Sequence, residues 1–286
     1  MPSQVSTSEL LGSLVLPAMP ESLRQIRAEQ ARAVPDVERI TAIIAEDVGL
    51  AAEVLKTINS PMFRRRQPLG SVPNAVMLLG LDNVLNIVAS VALRRTMDCG
   101  DNRMSLNRFW DTAGDVAFAI AALARRLSGV PADTAYTLGL FHDCGIPIMM
   151  CRYPDYLDTL KTASRPGAPL ITGLEQERHG IHHAVVGAHV SRSWLLPEAI
   201  STAILHHHEL PQMVADEAVD EMAISLIALL KMAEHISNRF RGAAFRSGAD
   251  DQEWEAVGIM ALSHFDLDTT EFSDLSEDIV EELGGR

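Results

Sequence analysis

The adjacent pair His142-Asp143 is the clearest candidate for chemistry in this 286-residue sequence. It comes at the abrupt end of an apolar run, within the stretch from Tyr136 to Gly145. An imidazole beside a carboxylate at the end of a buried helix is costly unless the two groups meet a cation or other polar partners. One interpretation is purely structural: the pair satisfies itself and nearby backbone groups, as most buried polar groups do.

The other histidines favour a larger polar site. None of the 10 histidines precedes His142, and all but the distant His264 follow closely enough in sequence to join it. They are His179, His182, His183, His189, His206, His207, His208 and His235. A spacing of four residues would also let His179 and His183 form a helical metal pair, although Gly180 lies between them and could end the helix. The clustering predicts that several imidazoles gather around His142 and Asp143.

Helical periodicity identifies two further candidates. His207 follows Ile200 and Ile204 by seven and three residues, so it belongs to the inward face of its predicted helix. Glu234 likewise continues the apolar stripe of the next predicted helix, and a carboxylate on a buried stripe needs a partner. Lys231 could supply an intrahelical ion pair, and the histidines could supply a second kind of partner. The sequence leaves both possibilities open.

Composition indicates a helical protein with an uneven charge. Hydrophobic residues make up 47% of the chain and aromatic residues only 5%, which favours helices over sheets. The net charge is −14, and the last forty residues carry 12 acidic residues and 1 basic residue. This balance argues against nucleic acid as a partner. The basic run Arg64-Arg65-Arg66 is interpreted as a solvated turn that could dock an acidic partner.

Cysteine content and the N-terminus predict a cytoplasmic protein. Cys99, Cys144 and Cys151 form no CxxC motif and are too few for a disulfide scaffold. The first residues lack the basic start and apolar core of a signal peptide. No apolar stretch reaches the roughly 18 to 20 uncharged residues that span a bilayer, so no membrane association is expected.

The pattern of periodic segments and turns predicts an all-α chain in three parts. Residues 14–97 form short helices without candidate chemistry, and none would be stable without its neighbours. Residues 104–240 carry most of the histidines. Residues 249–286 form an acidic extension of helices whose apolar face is expected to fold back on the body, with a partner surface as the alternative.

Three N-terminal segments resemble the signature of HDOD domains. They are Leu16-Pro-Ala-Met-Pro20, the segment Ile43-Ile-Ala-Glu-Asp-Val-Gly-Leu-Ala-Ala-Glu-Val-Leu-Lys-Thr-Ile-Asn-Ser60, and Ser71-Val-Pro-Asn-Ala-Val-Met-Leu-Leu-Gly-Leu81. HDOD proteins are all-helical bacterial signalling modules related to the HD superfamily of metal-dependent phosphohydrolases. The resemblance, over roughly residues 14–240, implies an N-terminal HDOD bundle packed on an HD-like helical unit, with other signalling proteins as partners.

The same resemblance implies a metal-ligand set with altered positions. The first HD ligand is a histidine in Trp-x-His, where this chain has Trp110-Asp111-Thr112, and a threonine hydroxyl is a poor donor beside imidazole. The ligands that remain are His142, Asp143, His183, His207, with His208 as a further candidate, and Glu234 in place of the closing aspartate. This set suffices for one divalent transition metal such as Fe, Mn, Ni or Zn. It falls short of the paired-metal site that assists phosphodiester hydrolysis.

Two functions are therefore expected. The first, favoured by Thr112, is a non-catalytic signalling adaptor whose HD-like pocket is a relic or a ligand sensor and whose N-terminal helices bind a partner protein. The second is a metal-dependent phosphohydrolase in which one metal activates water for attack on a nucleotide or phosphodiester, with Asp143 as the candidate catalytic residue.

Overall fold

The structure, a computed structural model, describes residues 7–59, 68–96, 103–127, 129–242 and 248–284. Every regular element in these residues is an α-helix, which confirms the all-α prediction. Within the same ranges, no helix is both long and apolar enough to cross a bilayer. The basic run Arg64-Arg65-Arg66 lies outside the described residues.

The N-terminal part consists of short helices whose ends are set by capping residues. They are α1 (Thr7–Ser13), α2 (Glu21–Gln30), α3 (Val37–Glu46), α4 (Val48–Ile58), α5 (Val72–Leu79) and α6 (Leu81–Thr96). The side chain of Asp47 accepts a hydrogen bond from the Leu50 backbone N–H and so begins α4. The break between α3 and α4 therefore falls at Asp47. Helix α6 is buried from Val84 to Leu93 and forms the centre of this part.

The histidine-bearing part contains the longest helices of the fold. Its elements are α7 (Arg103–Arg126), α8 (Ala132–Phe141), α9 (Gly145–Arg152), α10 (Tyr156–Ala163), α11 (Ile171–His179), α12 (His183–Ser193), α13 (Glu198–His206), α14 (Leu210–Ala215) and α15 (Glu221–Arg241). Helices α7, α8 and α15 pack on one another, and α12 and α13 form a pair that contacts α8 and α15 through α13. The ends of α8, α12 and α13 are thereby brought to one place.

Buried polar contacts join the N-terminal helices to the histidine-bearing helices. Helix α6 packs on α8, and the Asn86 side-chain amide donates a hydrogen bond of 2.8 Å to Asp133 at the start of α8. The indole N–H of Trp194 donates to the carbonyl oxygen of Pro17 at 3.0 Å. Buried groups bonded in this way fix the relative position of the two parts.

The acidic C-terminal residues form α16 (Gly248–Ser263) and α17 (Thr269–Gly284), which both pack on α15. Phe272, Ile279 and Leu283 of α17 are buried, while Glu282 pairs with Arg126 of α7 at 2.9 Å. The apolar face of the extension therefore lies against the body of the protein.

Two cysteines fall within the described residues. Cys144 is a free and fully buried thiol, whereas Cys151 is disulfide-bonded. Disulfides are uncommon in reducing compartments, so the cytoplasmic setting inferred from the sequence stays an expectation.

Candidate metal centre

Four donor side chains converge where α8, α12 and α13 meet. Asp143, His183, His207 and His208 each place one ligand atom within 4.8 Å of the others. Asp143 follows the last residue of α8, His183 is the first residue of α12, and the two other histidines directly follow α13. His183 and His207 are fully buried, while 28% of the Asp143 side chain and 12% of the His208 side chain are exposed.

Glycine at position 145 allows this close approach. A Cβ atom on Gly145 would lie 2.0 Å from the carbonyl oxygen of His183, which no side chain can tolerate. The turn that carries Asp143 can therefore rest directly on the first turn of α12. The sequence motif His-Asp-x-Gly thus combines two ligand candidates with the residue that lets α9 pack against α12.

Four separations among the donor atoms are those expected of ligands around a single cation. His183 Nε2 lies 3.2 Å from Asp143 Oδ1, 3.4 Å from His207 Nε2 and 3.2 Å from His208 Nε2. His207 Nε2 lies 3.5 Å from the same Asp143 oxygen. Ligands about 2.1 Å from a tetrahedral metal ion lie about 3.4 Å from one another. Because facing imidazole lone pairs repel, such short distances between nitrogens require a proton or a metal cation between them.

The second nitrogen of each imidazole is held by another group. The partners of the Nδ1 atoms are Glu175 Oε2 for His183 (2.7 Å), the Ile204 carbonyl oxygen for His207 (2.7 Å) and Glu253 Oε2 for His208 (3.0 Å). These acceptors fix a proton on Nδ1 and leave Nε2 as the atom that faces the centre. This is the arrangement that a metal-binding imidazole requires.

Glu175 is a functional residue that the sequence does not single out. Its side chain is fully buried and accepts hydrogen bonds from the His183 backbone N–H at 3.2 Å and from the Tyr156 hydroxyl. Glu175 opens the polar run Glu175–Arg178, which resembles a solvated helix face. The partner that explains its burial lies beyond the end of α11 and becomes adjacent only in the folded chain.

His142 and Glu234 border the centre. His142 Nε2 lies 3.2 Å from Asp143 Oδ2 and 3.6 Å from Glu234 Oε1, while its Nδ1 donates to the Gly139 carbonyl oxygen at 2.8 Å. His142 therefore holds the outer oxygen of Asp143, and the other oxygen faces His183. Glu234 also pairs with Lys231 at 2.9 Å, so both partners that the sequence left open for Glu234 are present.

Burial and neighbouring charge set the protonation of the centre. Burial disfavours the charged form of His183, but the carboxylates of Glu175 and Asp143 outweigh it and raise the pKa of His183 to about 10. Burial lowers the pKa of His207 well below its ordinary value, and the nearby Asp143 carboxylate offsets this only in part. Burial opposes ionisation of Asp143, yet the imidazoles around it, His142 first, hold the pKa of that carboxyl well below its usual range.

A buried ammonium group adjoins the donors. Lys231 is 2% exposed, and its Nζ lies 2.9 Å from Glu234 Oε2 and 2.7 Å from Glu253 Oε1. Burial opposes the charges of this network, but the ion pairs outweigh it, so the pKa of Glu253 is lowered and that of Lys231 is raised. Glu253 comes from α16, and its sequence pattern identifies it only as part of an acidic extension.

Thr112 and His179 form hydrogen bonds away from the centre. The hydroxyl of Thr112 donates to the Arg108 carbonyl oxygen of its own helix at 3.0 Å. Gly180 adopts a left-handed φ of 75° and ends α11, so His179 and His183 do not share a helix face. His179 Nε2 instead hydrogen-bonds the Thr159 hydroxyl at 3.0 Å. The alternative metal pair of His179 and His183 therefore does not form.

Sequence comparison relates the chain to one family and to two bacterial proteins. Residues 16–210 match the model of the HDOD domain. An uncharacterized protein of Treponema pallidum is 29% identical over 219 residues, which is 73% of this chain and 41% of the relative. The uncharacterized protein YuxH of Bacillus subtilis is 34% identical over 64 residues, 22% of this chain and 15% of YuxH. The chain thus spans less than half the length of either relative.

Solved structures share the fold. An HDOD domain protein of unknown function from Geobacter sulfurreducens matches with a TM-score of 0.67 and 22% identity, covering 97% of this chain and 95% of that one. A candidate phosphohydrolase from Shewanella amazonensis matches with a TM-score of 0.69 and 22% identity, covering 94% of this chain and 91% of that one. A candidate signal transduction protein from Marinobacter aquaeolei matches with a TM-score of 0.63 and 21% identity, covering 99% of this chain and 62% of that one. Because the family model matches well over half of the sequence, the chain belongs to the HDOD domain family.

Proposed function

We propose that this HDOD protein is a signalling output protein that acts by binding other proteins, and that its histidine cluster holds one divalent transition metal without catalysing hydrolysis. The observation that carries the metal part is the convergence of three imidazole Nε2 atoms and Asp143 at the spacing of one ion's ligands. The bound ion would supply positive charge among buried donors, and the residues around it would hold those donors in place.

The charges around the centre support a single ion rather than a pair. Hydrolysis assisted by two metals needs a second set of free donors beside the first. Here Glu175 is bonded to His183, and both Glu234 and Glu253 are paired with the ammonium group of Lys231. Lys231 therefore supplies the positive charge that a second metal would bring, and it would repel a second cation.

Exposed apolar side chains in the N-terminal part of the chain support the protein-binding part of the proposal. Val15, Val48 and Met77 are 92%, 77% and 79% exposed, and Leu78 beside Met77 is 60% exposed. Adjacent exposed apolar side chains such as Met77 and Leu78 mark sites of protein interaction more often than isolated ones do. The fold neighbour from Marinobacter aquaeolei, described as a candidate signal transduction protein, fits the same role.

Metal content and turnover test the first part. The purified protein should contain about one transition-metal ion per chain by mass spectrometry, and Asp143→Asn should lose it. Asp274→Asn is the matched control, because it removes an exposed carboxylate from α17. A panel of nucleotides and cyclic dinucleotides should show no hydrolysis that depends on Asp143. Two ions per chain, or turnover that Asp143→Asn abolishes, would contradict the proposal.

Partner capture tests the second part. The double variant Met77→Gln, Leu78→Gln should recover less of the partner protein from lysate than the wild type, with unchanged helical circular dichroism. Ile259→Gln is the matched control, since Ile259 is 68% exposed but lies on α16. Equal recovery by both variants would show that the N-terminal surface is not the binding face.

A metal-dependent phosphohydrolase is the second candidate. It is favoured by the exposure of Asp143 and Glu234, whose side chains are 28% and 22% accessible and leave one side of the centre open to water. In that case Asp143 would hold the reacting water as well as the imidazoles around it. The turnover assay above distinguishes this candidate, because only an enzyme would lose hydrolysis with Asp143→Asn.

A further inference from the structure

The imidazole of His208 is oriented by a residue that lies outside the part of the chain that matches the HDOD model. The Nδ1 acceptors of His183 and His207 are Glu175 and the Ile204 carbonyl, which both lie within residues 16–210. The Nδ1 acceptor of His208 is Glu253, on α16. The hydrogen bond that orients His208 is therefore supplied by the C-terminal extension.

The contact is buried and specific. Both carboxylate oxygens of Glu253 lie near His208 Nδ1, at 3.1 and 3.0 Å, and one of them also accepts from Lys231 at 2.7 Å. The Glu253 side chain is 10% exposed. Its neighbour Trp254 stacks on His235 of α15 with ring centroids 4.5 Å apart and an interplanar angle of 17°. The position of Glu253 thus depends on the packing of α16 against α15.

We propose that Glu253 is a positioning residue for the metal centre, and that docking of the extension and binding of the metal reinforce each other. The inference rests on the proposed metal-binding function. Glu253 keeps the proton of His208 on Nδ1, so that Nε2 carries the lone pair that a metal needs. Without that acceptor the proton can move to Nε2, and His208 then cannot serve as a ligand.

This arrangement makes the extension a regulatory element. If α16 is released, His208 loses its acceptor and the centre holds metal less tightly. By the reciprocity of linked equilibria, the metal must favour the docked extension to the same degree. A partner that binds the acidic helices in place of α15 would therefore weaken the centre without touching any metal ligand.

Zinc affinity measured by isothermal titration calorimetry tests the proposal on the full chain. Glu253→Gln keeps the size of the side chain but replaces the charged acceptor of the His208 proton by a weaker, neutral amide. Affinity should then fall about 10- to 100-fold, as is usual for partners of metal ligands. Glu255→Gln, an exposed change of the same kind on the same helix, should leave affinity unchanged. In a His208→Ala background, Glu253→Gln should cause no further loss, because the ligand that it positions is already absent.

The outcomes separate this inference from the proposed function. A wild-type protein that binds no Zn²⁺ would overturn both. The positioning role alone would be overturned if the wild type and the Glu253→Gln variant bound Zn²⁺ equally tightly. It would also be overturned if Glu253→Gln lowered affinity as much in the His208→Ala background as in the wild type. Amide hydrogen exchange tests the linkage with Glu253 left unsubstituted. Saturating Zn²⁺ should slow amide exchange along α16 in the wild type and have no such effect in His208→Ala. Equal slowing in both proteins would overturn the linkage.

Discussion

The N-terminal helices α2–α5 and the histidine-bearing helices α8, α12 and α13 are all short, with 8 to 11 residues each, but they distribute polar and apolar groups differently. The first set leaves large apolar side chains such as Val48 and Met77 on the surface. The second set places His183 and His207 in the interior, around the carboxylate of Asp143. This contrast underlies the proposal that the first region contacts proteins and the second holds a cation, in which case only the second should respond to metal and pH.

The largest effect is expected from a substitution that disturbs the packing of the histidine-bearing helices. Gly145→Ala should destabilise the protein by more than about 3 kcal/mol and abolish zinc binding, because its Cβ would collide with the His183 backbone. Gly114→Ala on α7 is the matched control: no atom lies within 4 Å of the added carbon, so a gain of about 0.5 to 1 kcal/mol is expected. Urea unfolding measures both changes. Equal stability of the two variants would show that α9 and α12 do not pack as closely as in this structure.

A smaller effect should appear in the pH dependence of zinc affinity. Because its carboxylate neighbours raise the pKa of His183 to about 10, the metal-free site carries a proton at neutral pH that the metal must displace. Apparent affinity should therefore rise about tenfold per pH unit between pH 6.5 and 8.5. Titration calorimetry in buffers of different ionisation enthalpy measures the released proton. Affinity that is constant over this range would contradict the charge assigned to His183. Capture of a partner protein by the exposed pair Met77 and Leu78 should show no such dependence.

The smallest effect is expected at the position where HD hydrolases have their first ligand. Thr112→Ala should change zinc affinity by less than about 0.5 kcal/mol, because the hydroxyl bonds a carbonyl of its own helix. Calorimetry against the wild type is sufficient. A tenfold loss would mean that Thr112 reaches the metal after all, and the centre would then extend to α7.

The sequence predicts the helices and several candidate ligands because both depend on local patterns. The inward face of His207 follows from helical spacing, and the His142-Asp143 pair stands out at the end of an apolar run. Glu175 and Glu253 could not be identified in this way. Their partners, His183 and His208, lie 8 and 45 residues away, and only the packing of α11 and α16 brings them together. Sequence patterns thus identified donors, whereas the groups that orient those donors required the tertiary structure.

Helix α8 connects the two regions through its opposite ends. Asp133 in its first turn is bonded to Asn86 of the N-terminal part, and Asp143 follows its last turn. A helix of 10 residues is about 15 Å long. One end of α8 thus carries the buried bond to the N-terminal part and the other end leads into the carboxylate of the centre, so the position of Asp143 depends on how α8 packs on α6.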